Sequence, residues 1–457
     1  MGQNPPQLIL AAALMHGLGT QTSAWRVRGG EASDYIRPEL YVDLARTGEE
    51  GKLHALFLAE QMTNRDGSLH QHSGENGTES PCGAMDTATV LSYMAAVTEH
   101  IGLVGTGSTT YNQPYDLARR FATLDNLSKG RTGWNSVTTA NHATAEMFGG
   151  SGLDTHPEAA ARYARADEFI EIVTELWASW EEGALVGDKA AGFFADPKRV
   201  REINYVGKQF SVRGPLPFPA TAQGRPVIFH AGSSPEGRDQ AARCADVAFT
   251  AQHTTEGARE YRDDMRSRAA AYGRNPDDIK VLPGISVVLG GTVAEAEAKK
   301  RALDDALPLS RKVSEMHRRT GLSRAVVEEY LDKPLPLHLL PPDSEFKGGI
   351  GWRQSIIDLA IAENLTVREL MYRAPGHHQH IIGTAETVAD AMQERVSAGA
   401  CDGFIMMIDM LPEGLHDIVE MLVPELQRRG MFHEDYEHAT LRGNLGLSAP
   451  QPVPAMK

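Results

Sequence analysis

A (β/α)8 TIM barrel is the fold this sequence predicts, and three observations predict it. Eight short runs, Leu8–Met15, Leu53–Ala59, Ile101–Gly107, Thr132–Val137, Pro226–Ala231, Val247–Ala251, Ile279–Leu289 and Gly403–Ile408, are mostly near-continuous in apolar residues. Strands buried on both faces of a parallel sheet read that way. The segments between them carry helical periodicity: within residues 160–180, Phe169, Ile172, Val173 and Leu176 recur at i, i+3, i+4 and i+7. The stretch from Ile101 to Val137 reads as a strand, a helix over Asp116–Ser128, a Gly130-Arg131 break and a second strand. A strand–helix–strand unit of that length is a crossover, so its two strands are parallel. A doubly wound open sheet is the alternative, but it would normally split into two smaller domains, and no Gly-, Ser- or Pro-rich linker divides this chain. The expected organisation is one barrel over residues 1–446 with insertions at about 181–225 and 290–400, followed by a loose, Pro- and Ala-rich tail over 447–457.

In order along the chain, the first apolar run is only about eight residues long and lacks a basic leader, which makes it a buried strand rather than a signal peptide or a membrane span. His16 and Gly17 follow it directly, so His16 faces either the barrel mouth or a surface loop. Glu60 closes the second run; a carboxylate there is either a solvated turn or a group pointing into the mouth. Thr106, Ser108 and Thr109 end the third run, and Asn135 and Thr138 end the fourth. Four strands offering hydrogen-bonding residues at one end is a stronger signal than any one of them, because barrels place their ligand sites at that end.

Within the first insertion, Tyr205–Arg213 alternates around Gly207-Lys208 as a hairpin does. After the fifth run comes Ala231-Gly-Ser-Ser-Pro-Glu-Gly237, opening a helix. Gly232, Ser233 and Ser234 form either a phosphate cradle, with close backbone approach and a helix N-terminus favouring an anion, or an N-cap turn. The second insertion is mostly helical in pattern, and long excursions of this kind are usually lids or binding loops. It contains His377-His-Gln-His380, which lacks a carboxylate or cysteine partner at ligand spacing, so no metal site is expected.

The net charge of -15 argues against nucleic acid or an anionic membrane as partner and for a soluble, cytoplasmic protein. Cys82, Cys244 and Cys401 are widely spaced, which suits a reducing compartment. Gly105-Thr-Gly107 is too short for a dinucleotide fingerprint, and there is no Walker loop or Gly-x-Ser-x-Gly elbow.

Several blocks together resemble the bacterial-luciferase-like flavin monooxygenases, in the branch of the nitrilotriacetate, pristinamycin-synthase and dibenzothiophene-sulfone enzymes. They are Phe57-Leu-Ala-Glu60, Tyr111-Asn-Gln-Pro-Tyr115, Phe121-Ala-Thr-Leu-Asp125, Gly130-Arg131 with Trp134-Asn135, Arg162-Tyr163, Asp188-Lys-Ala-Ala-Gly192 with Phe194-Ala-Asp-Pro197, Val212-Arg-Gly-Pro-Leu216, Ala231-Gly-Ser-Ser-Pro235 and Asp402-Gly-Phe404. The resemblance runs over roughly residues 8 to 446. It implies a two-component enzyme that takes FMN in its reduced form, FMNH2, from a separate NAD(P)H:flavin reductase. With O2 it oxidises a small organic substrate, often with C–S or C–N cleavage, as a homodimer or homotetramer. Carried over, the flavin contacts are Glu60, Thr106, Tyr163 and Ser234, with Asn135 beside the ring. The family commonly has Asp where Glu60 stands, and His where Ala159 stands; His156 takes the latter role if the local loop is three residues longer. The cofactor carries the hard chemistry, so few acid–base groups are needed. His16 and then His378 are the candidates for handling a proton. Two other readings use the same barrel: a flavin- or deazaflavin-dependent hydride transfer enzyme, and a non-catalytic flavin-binding subunit.

Overall fold

Parallel pairing carries the chain into a closed sheet in the computed structural model, which describes residues 7–15, 18–21, 23–62, 84–139, 143–148, 156–346, 349–374 and 378–454. The first four strands, β1 (Ile9–Leu14), β2 (Ala55–Leu58), β3 (Gly102–Ser108) and β4 (Thr132–Val137), pair in sequence order. Two short antiparallel pairs follow outside the barrel: β5 (Leu185–Asp188) with β6 (Phe193–Ala195), and β7 (Tyr205–Val206) with β8 (Ser211–Val212). The barrel resumes with β9 (Val227–Ala231), β10 (Val247–Thr250) and β11 (Lys280–Leu289). After β12 (Gln379–Gly383) it closes through β13 (Gly403–Met407), which pairs with β1 and β11, while β10 also pairs with β11. All eight expected strands are present, within two residues at each end.

The ninth parallel strand, β12, was not expected. It continues the sheet along the last half of β11, from Ile285 opposite Gln379 to Leu289 opposite Gly383. Its sequence, Gln-His-Ile-Ile-Gly, holds two apolar residues where β11 beside it holds six, so its hydropathy reads as a loop inside a helical excursion.

Strand alternation sorts the residues into two layers. Ile9, Ala11, Phe57, Val104, Phe229, Phe249, Leu282, Ile405 and Met407 fill the barrel interior. Their alternates, such as Leu10, Leu56, Leu103, Ile285 and Phe404 on one side and Trp134 and Ile228 on the other, pack under the helices. Gly105 and Gly107 belong to the outer layer of β3: a Cβ at Gly107 would stand 2.9 Å from Leu117 and 3.0 Å from the Trp134 ring nitrogen. Glycine there lets the helix Pro114–Leu127 lie close against the sheet. That helix ends at Leu127, the turn after it passes through Gly130, whose φ of 87° is left-handed, and Arg131 then locks the turn. Its buried guanidinium donates to the carbonyls of Ala95, Thr98, Ile101 and Ser128 and to the Thr98 hydroxyl.

At the opposite end from the mouth, buried Asp246 accepts from Arg225 (2.8 Å), from Arg442 (2.9 Å) and from the amide of Ile228 (2.8 Å). The tail expected to be loose is docked here. Arg243 donates to the carbonyl of Pro454, the amide of Ser448 donates to Asp278, and Val453 packs on the helical layer. Composition foretold a free end because it cannot see the arginines that receive it.

Candidate active site

The interior alternation fixes what the mouth contains. On β3 the inward residue after Val104 is Thr106, and on β4 Asn135 is inward. The two meet: Asn135 Nδ2 donates to Thr106 Oγ1 at 2.9 Å. Asn135 is 4% exposed and its Oδ1 has no partner. A buried amide oxygen left unpaired costs on the order of 1–3 kcal/mol, so it marks a place where a donor belongs. Glu60, half-buried one residue past the inner Ala59, accepts from the amide of Ser108 at 3.1 Å. Burial pushes its carboxyl up to about 7, with the nearby Asp86 adding to the shift and the Ser108 amide opposing it.

The second wall is the turn after β9. Ser234 is the N-cap of the helix Pro235–Cys244, accepting from the amide of Gly237 at 3.1 Å, and its hydroxyl lies 3.4 Å from the Tyr163 hydroxyl. Gly232 is fixed by the Tyr261 hydroxyl on its carbonyl (3.0 Å), and a Cβ there would lie 2.9 Å from the Cα of Gly237. The two readings of this turn are therefore compatible: Ser234 caps the helix, and Gly232 keeps the backbone bare beside that helix's N-terminus. Ser233 lies 3.4 Å from the Thr250 hydroxyl. The N-terminus of the insertion helix Ile350–Ala362 sits on this turn, since a Cβ on Gly351 would stand 2.2 Å from the Cβ of Ser233.

The third wall is aromatic and imidazole. His378 lies over Gly284, stacks on Phe249 (ring centroids 5.3 Å apart) and meets Trp352 edge-on at 5.9 Å. Burial lowers its pKa to about 3, so the imidazole is neutral at physiological pH. His156 is held by the Tyr111 hydroxyl at 2.8 Å and by Arg162 at 3.1 Å, one residue before Tyr163. His16 lies outside the described residues. His230, His253 and Asp409 are buried polar residues around this mouth that sequence reasoning passed over, and His380, weighed there only as part of a metal motif, is a fourth. Asp409 carried a readable signal, a carboxylate two residues past the apolar strand β13, as Glu60 is past β2. His230 sits between inward Phe229 and Ala231, so it faces the helical layer behind the cradle. Among the described residues no group of three or more His, Cys, Asp or Glu side chains is placed to hold a metal ion. No helix among them is long and apolar enough to cross a membrane.

A closed parallel barrel with hydrogen-bonding side chains gathered at its strand ends belongs to the class of α/β-barrel enzymes. Residues 18–401 match the family described as luciferase-like monooxygenase, and the chain belongs to that family. It is a flavin-dependent monooxygenase. It is 41% identical to nitrilotriacetate monooxygenase component A of Aminobacter aminovorans, over 95% of each chain. It is 40% identical to N-acetyl-S-(2-succino)cysteine monooxygenase of Bacillus subtilis (strain 168), over 97% of each. Among solved structures it resembles EDTA monooxygenase from Chelativorans sp. BNC1, with a TM-score of 0.79 and 30% identity over 97% of this chain and 99% of that one.

Proposed function

We propose that this chain is the oxygenase of a two-component system, taking FMN reduced by a separate NAD(P)H:flavin reductase and using O2 to oxidise a small organic substrate with C–S or C–N cleavage. The observation that carries the reading is the turn Gly232–Ser234. A bare glycine, two hydroxyls and the Tyr163 hydroxyl cluster at the N-terminus of a ten-residue helix, which suits a phosphate dianion. The residue set fits the rest of FMN as well. Asn135 Oδ1 lacks a donor, and an isoalloxazine edge offers one; Glu60 and Thr106 flank the same strand ends. Reduced FMN, when bound, supplies the two electrons that activate dioxygen. The chain's own contribution is to bind, orient and dry. Ser233, Ser234 and Tyr163 hold the phosphate, with His156 behind them through Arg162. Glu60 and Asn135 orient the ring. The insertion helix seated on Ser233 and the apolar Phe249–Trp352 wall exclude water. His378 contributes as a neutral imidazole on the substrate side, and His16, which follows β1 in sequence, is the other candidate for handling a proton. The protein works in the cytoplasm as a homodimer or homotetramer on this reading, with the insertions at 181–225 and 290–400 as part of one barrel unit.

The test is dioxygen uptake. The pure chain with NADH and FMN should oxidise no NADH. Adding any free-flavin reductase should start oxygen consumption that exceeds the reductase alone. Stoichiometric NADH oxidation by the pure chain would overturn the proposal.

A further inference from the structure

On the wall away from Glu60, Thr106 and Asn135, two strands bring a carboxylate and an imidazole together. Ile405 and Met407 face the barrel interior, and Asp409 continues that face beyond the end of β13. On β12, Ile381 packs into the outer layer, which turns His380 inward, opposite Ser286 of β11. His380 Nδ1 then lies 3.6 Å from Asp409 Oδ2, with both residues 4% exposed. Neither of these two atoms has a hydrogen-bond partner. The other carboxylate oxygen is anchored, accepting from the Thr20 hydroxyl at 2.8 Å.

Such a pair is costly in a core. Each member is a buried polar group of the kind that hydrophobic replacement would stabilise. We propose that His380 is a proton-transferring residue of the monooxygenase reaction and that Asp409 is its positioning residue, its Oδ2 facing Nδ1 and leaving Nε2 to exchange the proton. Putting one atom of O2 into a substrate releases the other as water, using two electrons and two protons from the reduced flavin and its surroundings. In a mouth closed to solvent, some side chain has to pass a proton to that oxygen. A carboxylate behind an imidazole fixes its tautomer and stabilises it while it carries the proton. His378, by contrast, has its Nδ1 against Gly284.

The charges around the pair set its direction. Burial, then Lys300, Arg373 and Arg319, lower the His380 pKa well below its usual value. Burial pushes the Asp409 carboxyl up to about 6, against Thr20, Lys300, Ser286 and Gln21, which favour the carboxylate. His253 adds a third imidazole within the same field. At pH 7 the pair is therefore a carboxylate and a neutral ring, ready to accept a proton at Nε2 and pass it on.

This inference rests on the reduced-FMN reading, so the experiment has one arm that depends on it and one that does not. In the first, wild type, His380→Gln, Asp409→Asn and Asp409→Glu are given enzymatically reduced FMN and O2 without substrate, and hydrogen peroxide release is followed from pH 5.5 to 9. His380→Gln and Asp409→Asn should each change the rate about tenfold or more and remove the same ionisation from the profile, while Asp409→Glu restores it. In the second, the flavin-free protein labelled at histidine Cε1 is titrated by NMR, with the His380 signal assigned from His380→Gln. Asp409→Asn should lower the His380 pKa by about one unit or more, a tenfold change in its acidity. A wild-type profile in folded His380→Gln, or an unmoved His380 titration in Asp409→Asn, overturns the proposal. If Asp409→Asn does not fold, the Asp409→Glu titration and the His380→Gln profile still decide it. If wild type takes up no O2, the reduced-FMN reading fails, and the NMR arm still reports on the pair.

Discussion

Ser234→Asp separates the two jobs of the cradle. As the N-cap of Pro235–Cys244, Ser234 accepts from the Gly237 amide, and Asp caps helices as well as Ser, so the fold should keep its stability. Ser234→Ala, which removes the cap, should cost about 1 kcal/mol of stability. Toward a phosphate the two differ in sign. A carboxylate about 5 Å from a dianion repels it by about 2 kcal/mol at the dielectric of water and about 7 kcal/mol at an effective dielectric near 20. Even the weaker figure corresponds to more than about a tenfold loss of affinity. The assay is fluorescence titration with FMN and with riboflavin, which lacks the phosphate, alongside thermal unfolding. FMN affinity should fall at least about tenfold in Ser234→Asp while riboflavin changes little and the unfolding temperature holds. Equal losses for both ligands, or no loss for either, would refute the reasoning and leave this turn as a helix cap alone.

Glu60→Gln should keep the unfolding temperature within a few degrees at neutral pH yet cut turnover about tenfold or more, as removal of one positioned polar group does. The same variant tests its pKa. Burial raises Glu60 to about 7, so the stability it contributes is complete below pH 4.5 and is lost as pH rises through 7; Glu60→Gln should flatten that decline in a denaturant series, by about 2 kcal/mol at most for a half-buried group. Gly351→Val places side-chain atoms where the Ser233 Cβ already stands 2.2 Å from the Cβ position; it should lift the insertion helix, raise proteolysis near residue 350 and weaken FMN more than riboflavin. Asp246→Asn leaves Arg225 and Arg442 buried against a neutral amide and should cost about 3–5 kcal/mol with little effect on affinity for flavin, measured by urea unfolding and titration.

How much of this was legible in the chain depends on what each residue had to announce by itself. The eight barrel strands are buried on both faces, so their own sequences are apolar runs and reveal them. Glu60, Thr106, Asn135 and Ser234 were legible because a polar residue at the end of such a run breaks the pattern at the position where barrels bind ligands. β12 failed that test. It lies beside only the upper half of β11, where its inward face meets the mouth rather than the packed interior, so it alternates His380 and Ile382 against Gln379 and Ile381 and lacks an apolar run. Gly351 was illegible for another reason: a glycine inside a helical segment has no signature until the Ser233 side chain is placed against it. The same holds for Asp409 and His380, which lie 29 positions apart in sequence and become a pair only because β11 stands between their strands. Pairs made by the sheet rather than by the chain are where the chemistry of this mouth lies, and the inward alternation of Ser286, His380 and Asp409 would have exposed this one once β12 was recognised as a strand.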